Sequence, residues 1–240
     1  MTVKPYGTGG SKKQEVKQMF DNIAPTYDFL NHALSLNIDK VWRRKAIRSL
    51  KSIEPKRILD IATGTGDLAI AALKLHPDLV IGVDISEGMI GVGQEKIIAR
   101  GLQDVIKLQT ADSENLPFEG GEFDAITVAF GVRNFEDPMK GLAEMCRVLK
   151  PGGRLVVLEF MMPRYFPFKQ LYQFYFRRIL PLLGKIISKD FSAYQYLPDS
   201  VQKFPQGESF IRMLKDAGFK KTSFKSLSFG IAGLYIGELI

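Results

Sequence analysis

Apolar and polar positions along this 240-residue chain fall into two periods. Short, mostly apolar runs of strand length recur at Arg57–Asp60, Leu79–Asp84, about Val105–Thr110, Phe123–Phe130 and Arg154–Phe160. Phe123–Phe130, nearly all apolar, suits a parallel strand buried on both faces. Between the runs lie stretches of helical spacing: about Asp67–Lys74, a helix to Arg100 that Ser86 caps, and Pro138–Val148, which Lys150-Pro151-Gly152-Gly153 stops. Ahead of them Ser11–Leu50 reads as helical, with Met19, Phe20 and Ile23 and then Trp42, Ala46, Ile47 and Leu50 in phase. Ser52–Lys56 is a connector, and Ala111–Glu122 is a loop broken by Pro117 and Gly120-Gly121. Past Met161, Arg164–Ile187 is dense in aromatics and bases and reads as helix with a break near Pro181. A helix at about Gly207–Ala217 and two strands, Lys220–Ser228 and Ala232–Glu238, close the chain as an antiparallel edge hairpin. The alternation predicts a three-layer αβα sandwich, α/β and Rossmann-like, around a seven-stranded, mostly parallel sheet. One domain is expected over 1–240, with residues 1–10 disordered, 11–50 a helical cap, and 163–205 an insertion facing substrate or membrane.

Composition narrows the function classes. Hydrophobic residues at 45% and charged residues at 25% are ordinary for a globular chain. The single Cys146 excludes an internal disulfide and fits a reducing compartment. His32, His76 and Cys146 offer no metal-ligand spacing, so no metal is expected. No apolar run is long enough to span a membrane, and residues 1–19 lack the apolar core of a signal peptide. The net charge of +7 gathers at Lys12-Lys13, Arg43-Arg44-Lys45, Arg177-Arg178 and Lys220-Lys221. It suits nucleic acid or an anionic membrane surface, and each cluster reads first as a solvated face.

The chemistry concentrates at Arg57–Asp84. Asp60 ends the first apolar run, Gly64-x-Gly66 follows, and Asp84 ends the next. A pyrophosphate site calls for a third glycine opening the helix, where this chain has Asp67. Asp60 would repel a phosphate but favour the ammonium and sulfonium of S-adenosylmethionine. The Thr63-Gly64-Thr65-Gly66 loop brings backbone close to such a ligand, N–H groups at the helix start can take its carboxylate, and Asp84 stands where an acid bridges ribose hydroxyls. Asp112 and the Ser113 N–H follow the third strand and suit an adenine edge. Phe130-Gly131-Val132-Arg133-Asn134 leaves the fourth strand: Phe130 is a candidate to pack on the sulfonium, Gly131 to leave room for substrate, and Arg133 and Asn134 to supply polar groups at the reacting edge.

Tyr27-Asp28-Phe29-Leu30-Asn31, Leu34-Ser35 and Trp42 resemble the amino-terminal signature of the ubiquinone/menaquinone biosynthesis C-methyltransferases of the UbiE/MenG type. Arg147–Leu155 with Leu158-Glu159-Phe160 is similar to their second signature, Phe130–Asn134 to their F-G-x-R-N run, and Tyr196–Val201 to a further family segment. The resemblance spans about Val16–Gly218. The chain departs from the family at Leu30 (Met), Asn37 (Gly), Asp39 (His), at Ala62 or Thr63 (Gly), and near Met161, where a Ser is missing. The resemblance implies a class I S-adenosylmethionine-dependent methyltransferase acting on carbon of a prenylated hydroquinone: demethylmenaquinol to menaquinol, or the benzoquinol step toward ubiquinone. Carried over by position, Thr65, Asp84, Asp112 and Ser113 bind the cofactor. The aromatics and bases of Arg164–Ile187 read either as a buried helix covering the sheet or as a wall for the tail in transient contact with the inner membrane face. A cytoplasmic protein is expected, with a homodimer as one assembly state. A small-molecule methyltransferase of other specificity, and an RNA methyltransferase suggested by the charge, are the competing readings; no base-flipping run or appended RNA domain supports the latter.

The ring must be reduced to react, because a quinone is electron-poor. A phenol with a pKa of roughly 10 needs a nearby cation or base to ionise. Arg133 is the expected phenolate stabiliser, with Asn134, Tyr27 or a water relaying the proton. His32 is a weak base candidate.

Overall fold

The computed structural model describes residues 3–35, 37–175, 178 and 191–240. The break expected near Pro181 and most of the Arg164–Ile187 stretch beyond Tyr175 lie outside the described residues. Seven strands form one sheet: β1 Arg57–Ile61, β2 Leu79–Asp84, β3 Ile106–Thr110, β4 Phe123–Ala129, β5 Leu149–Phe160, β6 Lys221–Leu227 and β7 Ala232–Glu238. Their order is β3-β2-β1-β4-β5-β7-β6. The first five run parallel, and β7 pairs antiparallel with both β5 and β6, as the pattern predicts. The chain reverses direction across the sheet between β1 and β4, and ligands of such sheets sit beyond the strand ends at that switch.

The central strands β1, β2 and β4 are buried on both faces, the edge strands β3 and β6 are partly exposed, and successive residues of the central strands serve opposite layers. On one face Leu59, Ile126 and Val157 pack with Leu142, Met145 and Phe210. These partners come from α6 (Pro138–Val148) and α9 (Glu208–Asp216). On the other face Ile58, Ala125 and Val156 meet Trp42, Leu68 and Ile97 from α3 (Ile38–Arg48), α4 (Asp67–Ala72) and α5 (Glu87–Ala99). Ser86 caps α5 by accepting the Met89 N–H, and Asp137 caps α6 by accepting those of Met139 and Lys140. The Leu149–Gly153 stop is drawn into β5 as an extended, irregularly paired lead-in rather than a plain turn.

The cap consists of α1 (Lys12–Ile23), a short 3-10 turn, α2 (Tyr27–Leu34) and α3. Ser11 and Gln14 close a capping box at the start of α1. Residues 6–8, expected to be disordered, instead donate three N–H groups to the Glu15 carboxylate at 2.8–2.9 Å. These bonds hold that carboxyl below its ordinary pKa despite the opposing desolvation. Beyond β5 come α7 (Phe168–Phe174) and α8 (Phe191–Lys203).

Candidate active site

Two cavities meet above the carboxyl ends of the central strands. The first, enclosing about 690 Å³ of space open to solvent, is walled by the tips of β1, β2 and β4 and the loop after β3. Tyr27, Gly64, Asp84, Asp112, Ser113, Phe130 and Asn134 all line it. The second, about 1560 Å³ and also open, is chiefly aromatic, with Trp42, Phe160, Phe168, Tyr172 and Tyr196 among its walls and Arg133 at one side. Phe20, Tyr27 and Phe130 line both cavities and form the partition between them.

Asp84 ends β2 with one oxygen on the Gly64 N–H and the other on the Ser86 N–H, both at 2.9 Å. It ties the glycine loop to the start of α5, and burial raises its pKa. Asp112 accepts the Glu114 N–H and pairs with Lys13 Nζ at 2.7 Å. Lys13 also reaches Glu114 at 3.0 Å. Desolvation pulls the Lys13 pKa down, but the two carboxylates outweigh it and hold the ammonium above its usual range. Asp21 accepts Ser86 Oγ at 2.6 Å and the Gly88 N–H at 3.0 Å. Thus α1 is pinned across the first cavity by charged and polar contacts.

Four residues expected at the ligand lie behind the cavity wall, and each has a local reason. Strand alternation turns the Asp60 carboxylate sideways, onto the sheet face beneath α4. There it accepts hydroxyls from Thr63 and Thr127, each at 2.6 Å. Burial lifts its pKa to about 6, so it serves as an internal brace. Thr63 is occupied by that same bond. Thr65 donates to Asp28 and accepts from Lys96 at 2.9 Å. Gly66, at φ +83°, makes the turn into α4 in a backbone conformation that residues with side chains rarely adopt.

Gly131 lines the first cavity and also meets a packing demand. A Cβ on it would stand 2.4 Å from the Cβ of Ala62, itself at φ +51°. The missing side chain makes room for the loop after β1. Phe130, at φ +60°, is a bulky residue in the left-handed region, where strain persists only if the surroundings hold it. Its ring stacks on Phe160 at 4.2 Å, and its carbonyl accepts from Arg133 Nη1 and Asn134 Nδ2.

Arg133 is buried. Nη1 also donates to Glu159 Oε1 at 2.7 Å, and the guanidinium lies over the Phe160 ring. Nε is buried without a partner, and among the described residues Nη2 makes no hydrogen bond either. Nη1 is therefore anchored while Nε and Nη2 are uncommitted, and Arg133 lines the aromatic cavity. Asn134 Oδ1 accepts from Tyr196 Oη at 3.1 Å, and burial raises the Tyr196 pKa to about 12. Lys12, expected on a solvated face, is buried and donates to the carbonyls of Arg133 and Phe135 at 2.8 and 2.6 Å. Desolvation, with help from Arg133, lowers its pKa to about 8. Arg43, from another cluster expected to be solvated, is buried between Asp39 and Asp67, both at 2.9 Å. Glu159, Lys12 and Lys13 carried no separable signal, because charged residues look alike until a partner from a distant element arrives.

The whole-chain comparisons fit this geometry. A family model described as the ubiE/COQ5 methyltransferase family matches residues 8–238. The chain belongs to that family. It is 54% identical over 234 residues to a demethylmenaquinone methyltransferase of Bacteroides fragilis, covering 97% of this chain and 96% of that one. It is 48% identical over 229 residues to the ubiquinone/menaquinone biosynthesis C-methyltransferase UbiE of Geotalea daltonii, covering 95% and 97%. Among solved structures, a possible histamine N-methyltransferase of Thermotoga maritima matches with a TM-score of 0.65 at 19% identity, over 93% of this chain and 99% of that one. The [4+2]-cyclase SpnF matches at 0.69 and 16%, over 95% and 96%. At such identity the structures speak for the fold alone: a cyclase shares it, so the chemistry must be read from the site.

Proposed function

We propose that the protein transfers the methyl group of S-adenosylmethionine to a ring carbon of a prenylated hydroquinone, demethylmenaquinol yielding menaquinol. The observation that carries this reading is the pair of cavities, one acid-lined and one aromatic, sharing the Phe20–Tyr27–Phe130 partition with Arg133 beside it. The names of the relatives favour the naphthoquinol ring.

The residues of the first cavity fit the cofactor. Asp84 suits ribose hydroxyls, and Asp112 with the Ser113 N–H suits adenine. The cavity carboxylates favour a cationic ligand. Bound there, S-adenosylmethionine supplies an electrophilic methyl on positive sulfur. Transfer of that methyl to the ring carbon would leave the electron pair of the broken sulfur–methyl bond on the thioether product. The ring carbon then loses its proton, so one proton is released overall.

The chain's part is to make the ring nucleophilic and hold it still. The uncommitted edge of Arg133 stabilises negative charge on the hydroxyl next to the reacting carbon. Tyr27 orients that hydroxyl, and Asn134, held between the Phe130 carbonyl and the Tyr196 hydroxyl, fixes the segment that carries Arg133. Burial raises the Tyr27 pKa, so this phenol stays protonated and serves as a donor. The aromatic wall excludes water and takes the isoprenoid tail. The test is incubation with labelled cofactor and reduced demethylnaphthoquinol or benzoquinol of short chain; label must appear on the ring of the first in preference to the second.

The same face suits transient contact with an anionic bilayer. Tyr165, Phe166, Leu171, Phe174 and Phe229 are 59–80% exposed, close to a cavity wall that includes Phe168, Leu171 and Ile231. Arg164 and Lys169 lie among them in sequence. No helix among the described residues is long and apolar enough to cross a membrane.

A further inference from the structure

The amino-terminal signature contains an asparagine that neither the cofactor nor the reacting hydroxyl uses. Most of that signature has a visible task. Asp28 bonds Thr65 and Lys96. Ser35 donates to Asp39 at 2.6 Å, and Trp42 walls the aromatic cavity. Asn31 also lines that cavity, and among the described residues its side-chain amide makes no hydrogen bond.

The polar groups on this wall can be sorted by what already holds them. Ser35 is held by Asp39 and Tyr196 by Asn134. Tyr172 and Tyr175 have interactions of their own. Among the described residues three groups have no partner: the Tyr27 hydroxyl, the Asn31 amide and the Nε–Nη2 side of Arg133. An otherwise apolar cavity with a few convergent polar groups uses them to orient its ligand.

Tyr27 and Asn31 stand four residues apart on α2. They therefore share one helix face, separated along the axis by about 6 Å, four rises of about 1.5 Å each. Tyr27 sits at the partition and lines both cavities, whereas Asn31 lines only the aromatic one. A hydroquinone presents two oxygens at opposite ends of one ring. The first lies beside the carbon that accepts the methyl. The second is para to it and next to the carbon that bears the tail. Oriented for reaction, the ring places its first oxygen at the partition and its second one helical turn further along, toward the apolar wall.

We propose that Asn31 recognises this second oxygen, and so determines that the substrate is a para-hydroquinone rather than a simple phenol. The assignment rests on the function proposed above. Asn31 takes no part in activating the ring, because an oxygen meta to the reacting carbon cannot feed charge to it. It sets which ring is held and at what angle. A site built to hydrogen-bond a hydroxyl discriminates strongly against the analogue without it, because its own polar group is then left unpaired.

The test compares two reduced acceptors of equal tail length: the naphthohydroquinone, and the prenylated naphthol lacking the second hydroxyl. kcat/KM is measured on both for the wild type, Asn31→Ala and Asn31→Asp, with cofactor affinity followed by calorimetry as the control for folding. Comparing the ratio between acceptors across wild type and variants cancels the acceptors' intrinsic reactivities. Asn31→Ala is expected to lower that ratio by about tenfold or more, mostly through KM for the diol, with cofactor Kd within about twofold of wild type. Asn31→Asp, which keeps the shape and an acceptor, is expected to retain the preference. An equal loss on both acceptors, or no loss, would overturn the assignment and leave the methyltransferase reading standing. Absence of methyl transfer by the wild type to either acceptor would overturn both.

Discussion

Arg133 and Asp84 are both charged and buried, yet they divide the work. Asp84 bridges the glycine loop and the start of α5 at the first cavity, while Arg133 is anchored by Glu159 beside the aromatic cavity. Replacing Arg133 by Ala should lower kcat by roughly 100-fold or more with cofactor affinity nearly unchanged. Asp84→Ala should instead weaken the cofactor, which calorimetry resolves. Asp60 yields a pH signature. Burial raises its pKa from the ordinary 3.8 to about 6, so the folded state binds this proton more tightly than the unfolded chain. Its contribution to stability is largest near pH 4 and falls as pH rises to about 6, by on the order of 3 kcal/mol. The stability difference between wild type and Asp60→Asn, from urea midpoints, should change across that window and level off above it. Asp84 and Asp112 were legible in the sequence because strand ends deliver them to one edge. For Asp60 the sequence is silent on direction, because a strand also sends every second side chain sideways and no motif says which way an acid at its end turns. Asn31 stands within the amino-terminal signature, but the cavity it lines is completed by residues of other elements.

The cap is joined to the catalytic sheet by charge. His32 and Arg43 both contact Asp39 and Asp67, and Lys96 adds Asp28 and Asp67. Together these residues couple α2, α3, α4 and α5. Replacing Arg43 by Met would leave Asp39, which is 1% exposed, and Asp67 short of their shared cation. A loss of about 3–5 kcal/mol is expected, read by urea unfolding. The loop after β1 adds a steric prediction. Gly131→Ala should cost about 1–3 kcal/mol through the Ala62 clash, and adding Ala62→Gly should restore most of it. The elements themselves were legible: β2 and α6 match the pattern at both ends, and the edge hairpin follows from two short runs after a helix. The ion network was not, because Arg43-Arg44-Lys45 looks like a solvated cluster until Asp67 closes on it from a separate element.

At the scale of the molecule, an acid-lined cavity and an aromatic cavity lie side by side, and exposed aromatic side chains stand close to the second. That arrangement suits a donor that arrives from water and an acceptor that arrives from lipid. The double variant Phe166→Ser/Phe174→Ser should reduce flotation with anionic vesicles at low salt while methyl transfer to a short-chain, water-dispersed acceptor persists. Unchanged flotation would remove the bilayer from the account. The central claim is that the two cavities serve one reaction across their shared wall. Its most direct measurement is transfer of label from S-adenosylmethionine to short-chain demethylnaphthohydroquinone under reducing conditions. The account predicts label on the ring carbon, none when the acceptor is kept oxidised, and a collapse of turnover in Arg133→Ala with cofactor still bound. Tight cofactor binding without any transfer to the reduced ring would contradict it.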